Sequence, residues 1–573
     1  MDSPPWSQLQ DRLRSVILRI PARWRVHWPL VPVLALALLL RTVGLFPTFM
    51  YGDDAEYATV ASYLGHDPRY LSYPRIEGFG SSPFVSQPPL LLYLFGWTGA
   101  LVGDYEVGSV LVSVVLGTAT VGVVYAIGTH FRGRVLGAIA GVFLAIFPTH
   151  VSLSRKAYLD VGLTFFFTLT IFLFILWLER RTLRLAWATG IAMAATVFSK
   201  LPGILVLAPL AAGLAVEAAA LTRTHIWPAP PLIRRLETRI FLRHTGTALV
   251  PLLVGAILYL GLLTYLESTV DLFQKLGRQA ARVGPGGASS GSARPWHWYM
   301  TSDEWGVPVQ LGLLLAVFAT IGIVLFLSPI LRERRWTASR VTLILWPLAI
   351  LAFFTLSARK EWFYIVPLTP PAALLAALPV EHVLGRLREW STQNAQQPAR
   401  RAKAFAAASL LLIAAPGFAP LQTTSHSITK VEHSYGYGVK DAALLINEID
   451  PDAGQIGTLL GRFTIHFYNR QPTYHWFMDH DAVDREIEAG RVRFMVLDTH
   501  LDVPHETQWM TELAARHDAR LVRTWQSWGH ETHVWLYEFP NAARLDQTAA
   551  NTNAMTMGAA PAGTLPAPTN GGP

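Results

Sequence analysis

The sequence predicts an α-helical, polytopic membrane protein of about eleven spans plus interfacial helices, with a small α/β domain at its C-terminal end. Three observations predict it. Of the 573 residues, 51% are hydrophobic and only 15% are charged, a balance too apolar for an ordinary soluble chain. Apolar stretches of span length recur between residues 30 and 420, separated by short basic loops. Beyond 420 the pattern changes to short apolar runs alternating with amphipathic helical stretches.

The composition also excludes several functions. The net charge of +8 is carried largely by basic loops, as cytoplasmic loops of membrane proteins are. No basic stretch is interleaved with aromatics in a soluble region, which argues against nucleic acid as a partner. The absence of Cys rules out disulfides, thiolate metal sites and Cys nucleophiles. The 19 Trp and 18 Tyr suit interfacial belts.

Residues 1–29 form a basic N-terminus with Arg12, Arg14, Arg19, Arg23 and Arg25. It is expected in the cytoplasm, ahead of a retained span at 30–47, since no small-residue cleavage site follows that run. Residues 51–105 then form an outer segment. Within it, 88–103 opens with two prolines and falls short of the roughly 20 residues a straight span needs. It is expected to be interfacial or re-entrant. The remaining spans are expected at 107–129, 134–151, 161–178, 184–199, 201–218, 246–266, 309–328, 339–356, 363–380 and 404–420. This assignment places the basic loops 131–134, 179–184, 219–245, 332–335 and 386–403 on one side. Counting 88–103 as a span would put them outside.

The outer side then receives 51–105, 152–160, the turn at Lys200, 267–308, 357–362 and everything after 420. Residues 283–295 are rich in Gly and Ser and read equally as a mobile loop over a site or as a linker. Residues 421–540 read as an extracytoplasmic α/β domain, with strands at QIGTLL, RFMVLDT and HVWLYEF. Gly457 and Gly461 lie at a strand-to-helix turn without a dinucleotide fingerprint. His530 and His533 lie among tryptophans on a strand pair, where packing is expected over metal binding because further ligands at set spacing are absent. Residues 541–573 are rich in Ala, Pro, Thr and Gly and are expected to be disordered.

The chemistry-bearing residues gather on the outer side. Asp53, Asp54, Glu56 and Tyr57 follow the first span directly. Arg155, Lys156 and Asp160 precede another span, Lys200 sits in a tight turn, and Lys360, Glu361 and Tyr364 precede a third. Ionisable residues at span ends are costly unless they are solvated or have a function. Lys and Arg at such positions also snorkel to headgroups. Carboxylates and cations on one face suit a site that needs a general base and a phosphate clamp.

These residues resemble a family. DDAEY after the first span resembles the D-[DE]-x-x-Y signature of the GT-C glycosyltransferases, specifically the protein O-mannosyltransferases (glycosyltransferase family 39) and the lipid A aminoarabinose transferases. QPPLLLYL (87–94), SRKAYLDVGLTFF (154–166), FSKLPG (198–203), RPWHWYM (294–300) and RKEWFYIVPLTPPAALL (359–375) are similar to further segments of that group in the same order. The resemblance covers roughly residues 30–380 and implies a GT-C catalytic domain over 30–420. It implies transfer of a sugar from a polyprenyl-phosphate carrier to an acceptor protein, lipid or glycan at the outer face of the cell membrane, with inversion.

By matching position, Asp53 is the expected base and Asp160 a second catalytic carboxylate. Asp54, Glu56, Tyr57 and Tyr364 are expected to line the site, and Arg155, Lys200 and Lys360 to hold the lipid phosphate. Gln87 stands where relatives carry Lys or His, which weakens a phosphate role there. No Arg or Lys lies in 101–117, where many relatives have an Arg. Asp53, Glu56 and Asp160 can hold a divalent ion by charge, but relatives with monophosphate carriers generally do without one, so no obligatory cofactor or metal is expected. The alternatives are a lipid-linked sugar flippase, which favours ionisable residues within spans, and a glycan polymerase. The outer domain is expected to select the acceptor.

Overall fold

A computed structural model describes residues 28–45, 50, 52–69, 71, 84, 86–222, 231–266, 277, 294–295, 297–302, 312–333, 336–357, 360–393, 407–408, 411–415, 417–418, 420–422, 438–458, 461–469, 473–475, 480–498, 504–526 and 533–539. The expected basic N-terminus, most of the Gly/Ser-rich loop, His530 and the C-terminal tail lie outside these residues.

The membrane part begins with α1 (Leu30–Thr42) and α2 (Asp53–His66), followed by α3 (Leu90–Val102), α4 (Tyr105–Arg132), α5 (Arg134–Ala145) and α6 (Pro148–Ser154). It continues through α7 (Leu159–Arg180), α8 (Leu183–Ser199), a 3₁₀ turn (Leu201–Val206), α9 (Leu207–Thr222), α10 (Pro231–Leu266), α11 (Leu313–Glu333), α12 (Ala338–Leu356), a second 3₁₀ turn (Trp362–Leu368) and α13 (Thr369–Gln393). Among the described residues seven helices are long and apolar enough to cross a membrane, and an eighth crossing is made if α5 and α6 count as one span bent by 64°. The bend falls at Pro148, which has no N–H to continue the ladder of α5. The expected straight span at 134–151 is therefore broken.

α1 has 13 residues and α8 has 17, shorter than a straight crossing needs. α3 is also 13 residues long, as a non-spanning helix at 88–103 requires. The expected span at 404–420 is described only in pieces. α5 and α13 share one apolar core with α1 and α4, including Phe143, Leu144 and Ala377. α7 to α10 and α12 share another, built on Phe167, Phe174, Trp177 and Trp346, while α11 packs into the first through Leu315 and Ala319.

α2 was not evident from its sequence, since it is polar at its start and has little amphipathic character. It is nonetheless buried along most of its length, from Asp54 to Leu64. Two glycines allow this. A Cβ on Gly96 of α3 would lie 2.5 Å from the Ala61 carbonyl oxygen and 2.9 Å from the Gly65 amide nitrogen, so the two backbones touch. Gly96→Ala is therefore expected to lower stability by about 1–3 kcal/mol, as overpacking does, read as a lower thermal midpoint in detergent.

The C-terminal region forms a small α/β domain. α14 (Val439–Ile449), β1 (Gln455–Thr458), α15 (Arg462–Asn469), β2 (Thr473–His475), α16 (His480–Glu488), β3 (Val492–Asp498), α17 (Pro504–Arg516), β4 (Arg520–Gln526) and β5 (His533–Glu538) follow in order. The sheet order is β2-β1-β3-β5-β4. The β1 strand is parallel to β2 and β3, while β5 is antiparallel to β3 and β4. Strand β3 is buried almost throughout, as a central strand covered on both faces is. The His533 ring stacks on Trp535.

Candidate active site

Asp160 lies in the first turn of α7, where the helix N-terminus favours a carboxylate. Lys200 follows α8 in extended conformation. The turn after it is tight because Gly203 comes so close to the Thr196 carbonyl that no side chain fits. Its shape is held by Gly203 N–H donating to the Lys200 carbonyl at 2.8 Å. This brings Lys200 Nζ to 2.7 Å from Asp160 Oδ2, with both side chains only 2% exposed. Two residues 40 apart in sequence thus form one buried ion pair.

The Phe363 and Tyr364 rings lie beside the pair, with their centroids 5.1 and 5.6 Å from Lys200 Nζ, within cation–π reach. Both belong to the second 3₁₀ turn. Tyr158 packs edge-on against Phe363 at 5.4 Å. Gln87 supports the arrangement from three residues ahead of α3, its Oε1 accepting the Leu201 amide at 3.1 Å. Gln87 thus fixes the backbone next to Lys200, a use of the residue that its departure from the family pattern did not reveal.

The acidic cluster opens α2. Gly52 has φ +74°, which glycine adopts at little cost, and the chain turns there into the helix. Asp54 is buried and its Oδ1 accepts the Ala55 amide at 3.0 Å. Asp53 and Glu56 are half-buried. Among the described residues nothing hydrogen-bonds or ion-pairs with the Asp53 carboxylate. Burial, followed by the charges of Asp53, Glu56 and Asp160, pushes the Tyr57 phenol well up. Burial, followed by Asp54, Asp53, Asp160 and Glu361, does the same to Tyr158. Two neutral phenols therefore stand among the carboxylates of both expected catalytic segments. Tyr158 carried no role in the sequence reading, although it lies between Arg155 and Asp160 in the segment that resembles the family.

The other expected cations are placed differently. Lys360 is buried, and its Nζ donates to the Arg294 carbonyl at 3.1 Å and to the Ser357 carbonyl. Burial lowers the pKa of its ammonium. Tyr299 Oη donates to the Glu361 carbonyl at 3.0 Å, so the aromatic element near 294–300 is tied to the Lys360 segment. Arg155 donates to the carbonyls of Leu40, Val43 and Gly44 at 3.3, 2.8 and 2.7 Å. Its guanidinium satisfies the open C-terminal end of α1, where helix carbonyls lack partners. Among the described residues, no three of His, Asp and Glu converge as a metal ion requires.

Residues 86–232 match the family model for dolichyl-phosphate-mannose-protein mannosyltransferase. No curated protein matches the chain in sequence. Among solved structures, the chain is similar to ArnT from Cupriavidus metallidurans bound to undecaprenyl phosphate, with TM-score 0.60 and 17% identity over 90% of this chain and 98% of that one. It is similar to the Archaeoglobus fulgidus oligosaccharyltransferase in its apo form, with TM-score 0.60 and 15% identity over 87% and 73%. It is also similar to AglB from Archaeoglobus fulgidus in complex with an inhibitory peptide and a dolichol-phosphate, with TM-score 0.57 and 14% identity over 84% and 70%.

At these identities the likeness is one of fold, and the fold is that of the GT-C glycosyltransferases. The chain is an integral, multi-pass membrane protein. The family-model match falls on α3 to α9 of that fold.

Proposed function

We propose that the chain transfers a sugar from a polyprenyl-phosphate carrier to a hydroxyl acceptor at the outer face of the membrane, with Asp53 as general base and inversion at the anomeric carbon. The observation that carries this reading is the half-exposed Asp53 carboxylate, unpartnered among the described residues and set beside a buried Asp160–Lys200 pair. In the reaction the acceptor O–H gives its proton to Asp53. The acceptor oxygen bonds to the anomeric carbon as the bond from that carbon to the phosphate oxygen breaks. The carrier leaves as a phosphate monoester, so stabilising its charge matters more than protonating it.

Lys200 is the cation proposed to face the leaving phosphate, with Tyr57 and Tyr364 lining the site and Glu56 at its rim, while Lys360, like Arg155, gives its N–H groups to backbone carbonyls. Arg155 is proposed to hold α1 against the site rather than to hold phosphate, because its N–H groups face carbonyls. The solved relatives whose bound lipids are undecaprenyl phosphate and dolichol-phosphate support a carrier of this class. The basic loops support a cytoplasmic N-terminus and an extracytoplasmic C-terminal domain.

The test offers the purified protein a panel of polyprenyl-phosphate sugars with an envelope extract as acceptor. Release of polyprenyl phosphate from one donor is the expected result. Movement of a donor across a vesicle membrane without release would favour a flippase instead.

A further inference from the structure

The C-terminal domain meets the membrane part at the segment that carries the proposed base. Met50 precedes Asp53 by three residues and is fully buried. Its amide donates to Tyr468 Oη at 3.1 Å, and its carbonyl accepts from Thr464 Oγ1 at 2.8 Å. Both side chains stand on α15, so one helix of the C-terminal domain takes both backbone groups of one residue of the catalytic segment.

The same helix reaches α2 directly, because His466 Nε2 and Tyr63 Oη lie 2.9 Å apart. Behind it, Lys440 of α14 pairs with Glu106 at the start of α4 at 3.0 Å. The Lys440 ammonium lies 4.7 Å from the centroid of the Tyr468 ring. Phe463 and Phe467 join the core formed by α2 and α3. Beyond Met50 the chain turns at Gly52, where among the described residues no atom stands within 4 Å of the Cβ position. The bonds to the Met50 amide and carbonyl thus lie three residues ahead of the first residue of α2.

From this we propose that α15 positions the Asp53 carboxylate, with Thr464 and Tyr468 as positioning residues that act through Met50. The inference rests on Asp53 being the base. It gives the C-terminal domain a part in turnover rather than in acceptor choice alone. A displacement of a catalytic group by about 1 Å costs on the order of 10²-fold in rate.

The experiment uses the full-length protein and the donor assay above, comparing Thr464→Val, Tyr468→Phe, Thr464→Ser and Asp53→Asn. Thr464→Val and Tyr468→Phe are expected to lower kcat by about 10- to 100-fold. KM for donor and acceptor should stay within about twofold, the mark of an interaction lost at the reacting centre. Thr464→Ser keeps the hydroxyl and should keep kcat, which a general packing defect would not predict. Tyr468→Phe removes one oxygen and keeps the ring, so it carries the same test if the Val variant folds poorly.

Wild-type kcat in both variants, with turnover lost in Asp53→Asn, would overturn the positioning role alone. A raised acceptor KM at unchanged kcat would also overturn it and assign the domain to acceptor binding. Full turnover in Asp53→Asn would remove the base, and the positioning role with it.

Discussion

Asp53→Asn lowers turnover by about 10²- to 10⁴-fold, the usual contribution of a general base, and leaves the fold and carrier binding intact. This is the expected result because the amide keeps the size and hydrogen-bonding reach of the carboxylate but cannot take a proton. The position tolerates the change: Asp53 is half-buried, and among the described residues its carboxylate ties no other element in place. Asp54 serves as the control. Its side chain is buried, with Oδ1 accepting the Ala55 amide within the first turn of α2, so Asp54→Ala should act through the helix start and lower the thermal midpoint. A base variant loses rate without losing stability, and a capping variant loses stability first. Release of polyprenyl phosphate, read beside thermal unfolding, separates the two. Equal turnover in Asp53→Asn and wild type would shift the base to Asp54 or Asp160.

The residues of the candidate site were conspicuous in the sequence because ionisable residues at span ends are rare. Asp160 and Lys200 could each be picked out by position, and the resemblance set them in one site. Their pairing could not be read, since it depends on how closely α7 and α8 approach and on the glycine that tightens the turn after Lys200. Tyr364 was expected to line the site, and its ring stands beside that pair. Arg155 shows the limit of charge as a signal, because the sequence displays the guanidinium but not the three carbonyls that occupy it. Gln87 shows the same for a neutral residue.

The C-terminal α/β pattern was legible in its alternation. β4 was foreseen only as the unnamed partner in the strand pair of His533, and its range was not read because it is mostly exposed and an edge strand lacks the apolar run that marks a buried one. α2 was hidden for the opposite reason. Its burial comes from partners on both sides, so no single apolar stripe was needed. The hold of Thr464 and Tyr468 on Met50 joins residues more than 400 positions apart, and no local pattern encodes it.

Lys200→Met is expected to cost about 3–5 kcal/mol in stability, because removing one partner leaves the Asp160 carboxylate buried without its counter-charge. Turnover should fall with it. The informative variant is the double replacement, Asp160→Asn with Lys200→Met. A buried pair exchanged for neutral groups of similar size is often close to neutral in stability, and Met can keep its contact with the Phe363 and Tyr364 rings through sulfur. The double variant should therefore regain most of the lost thermal midpoint. Turnover should not return, since the site would then lack both the cation proposed to face the leaving phosphate and the carboxylate paired with it. Recovery of stability and turnover together would make the pair a structural tie between α7 and the turn after α8. Recovery of stability alone would place the pair in the chemistry. The proposal that Lys200 faces the phosphate predicts the second outcome, with the greater loss in kcat rather than in donor KM if its charge acts mainly as the phosphate departs.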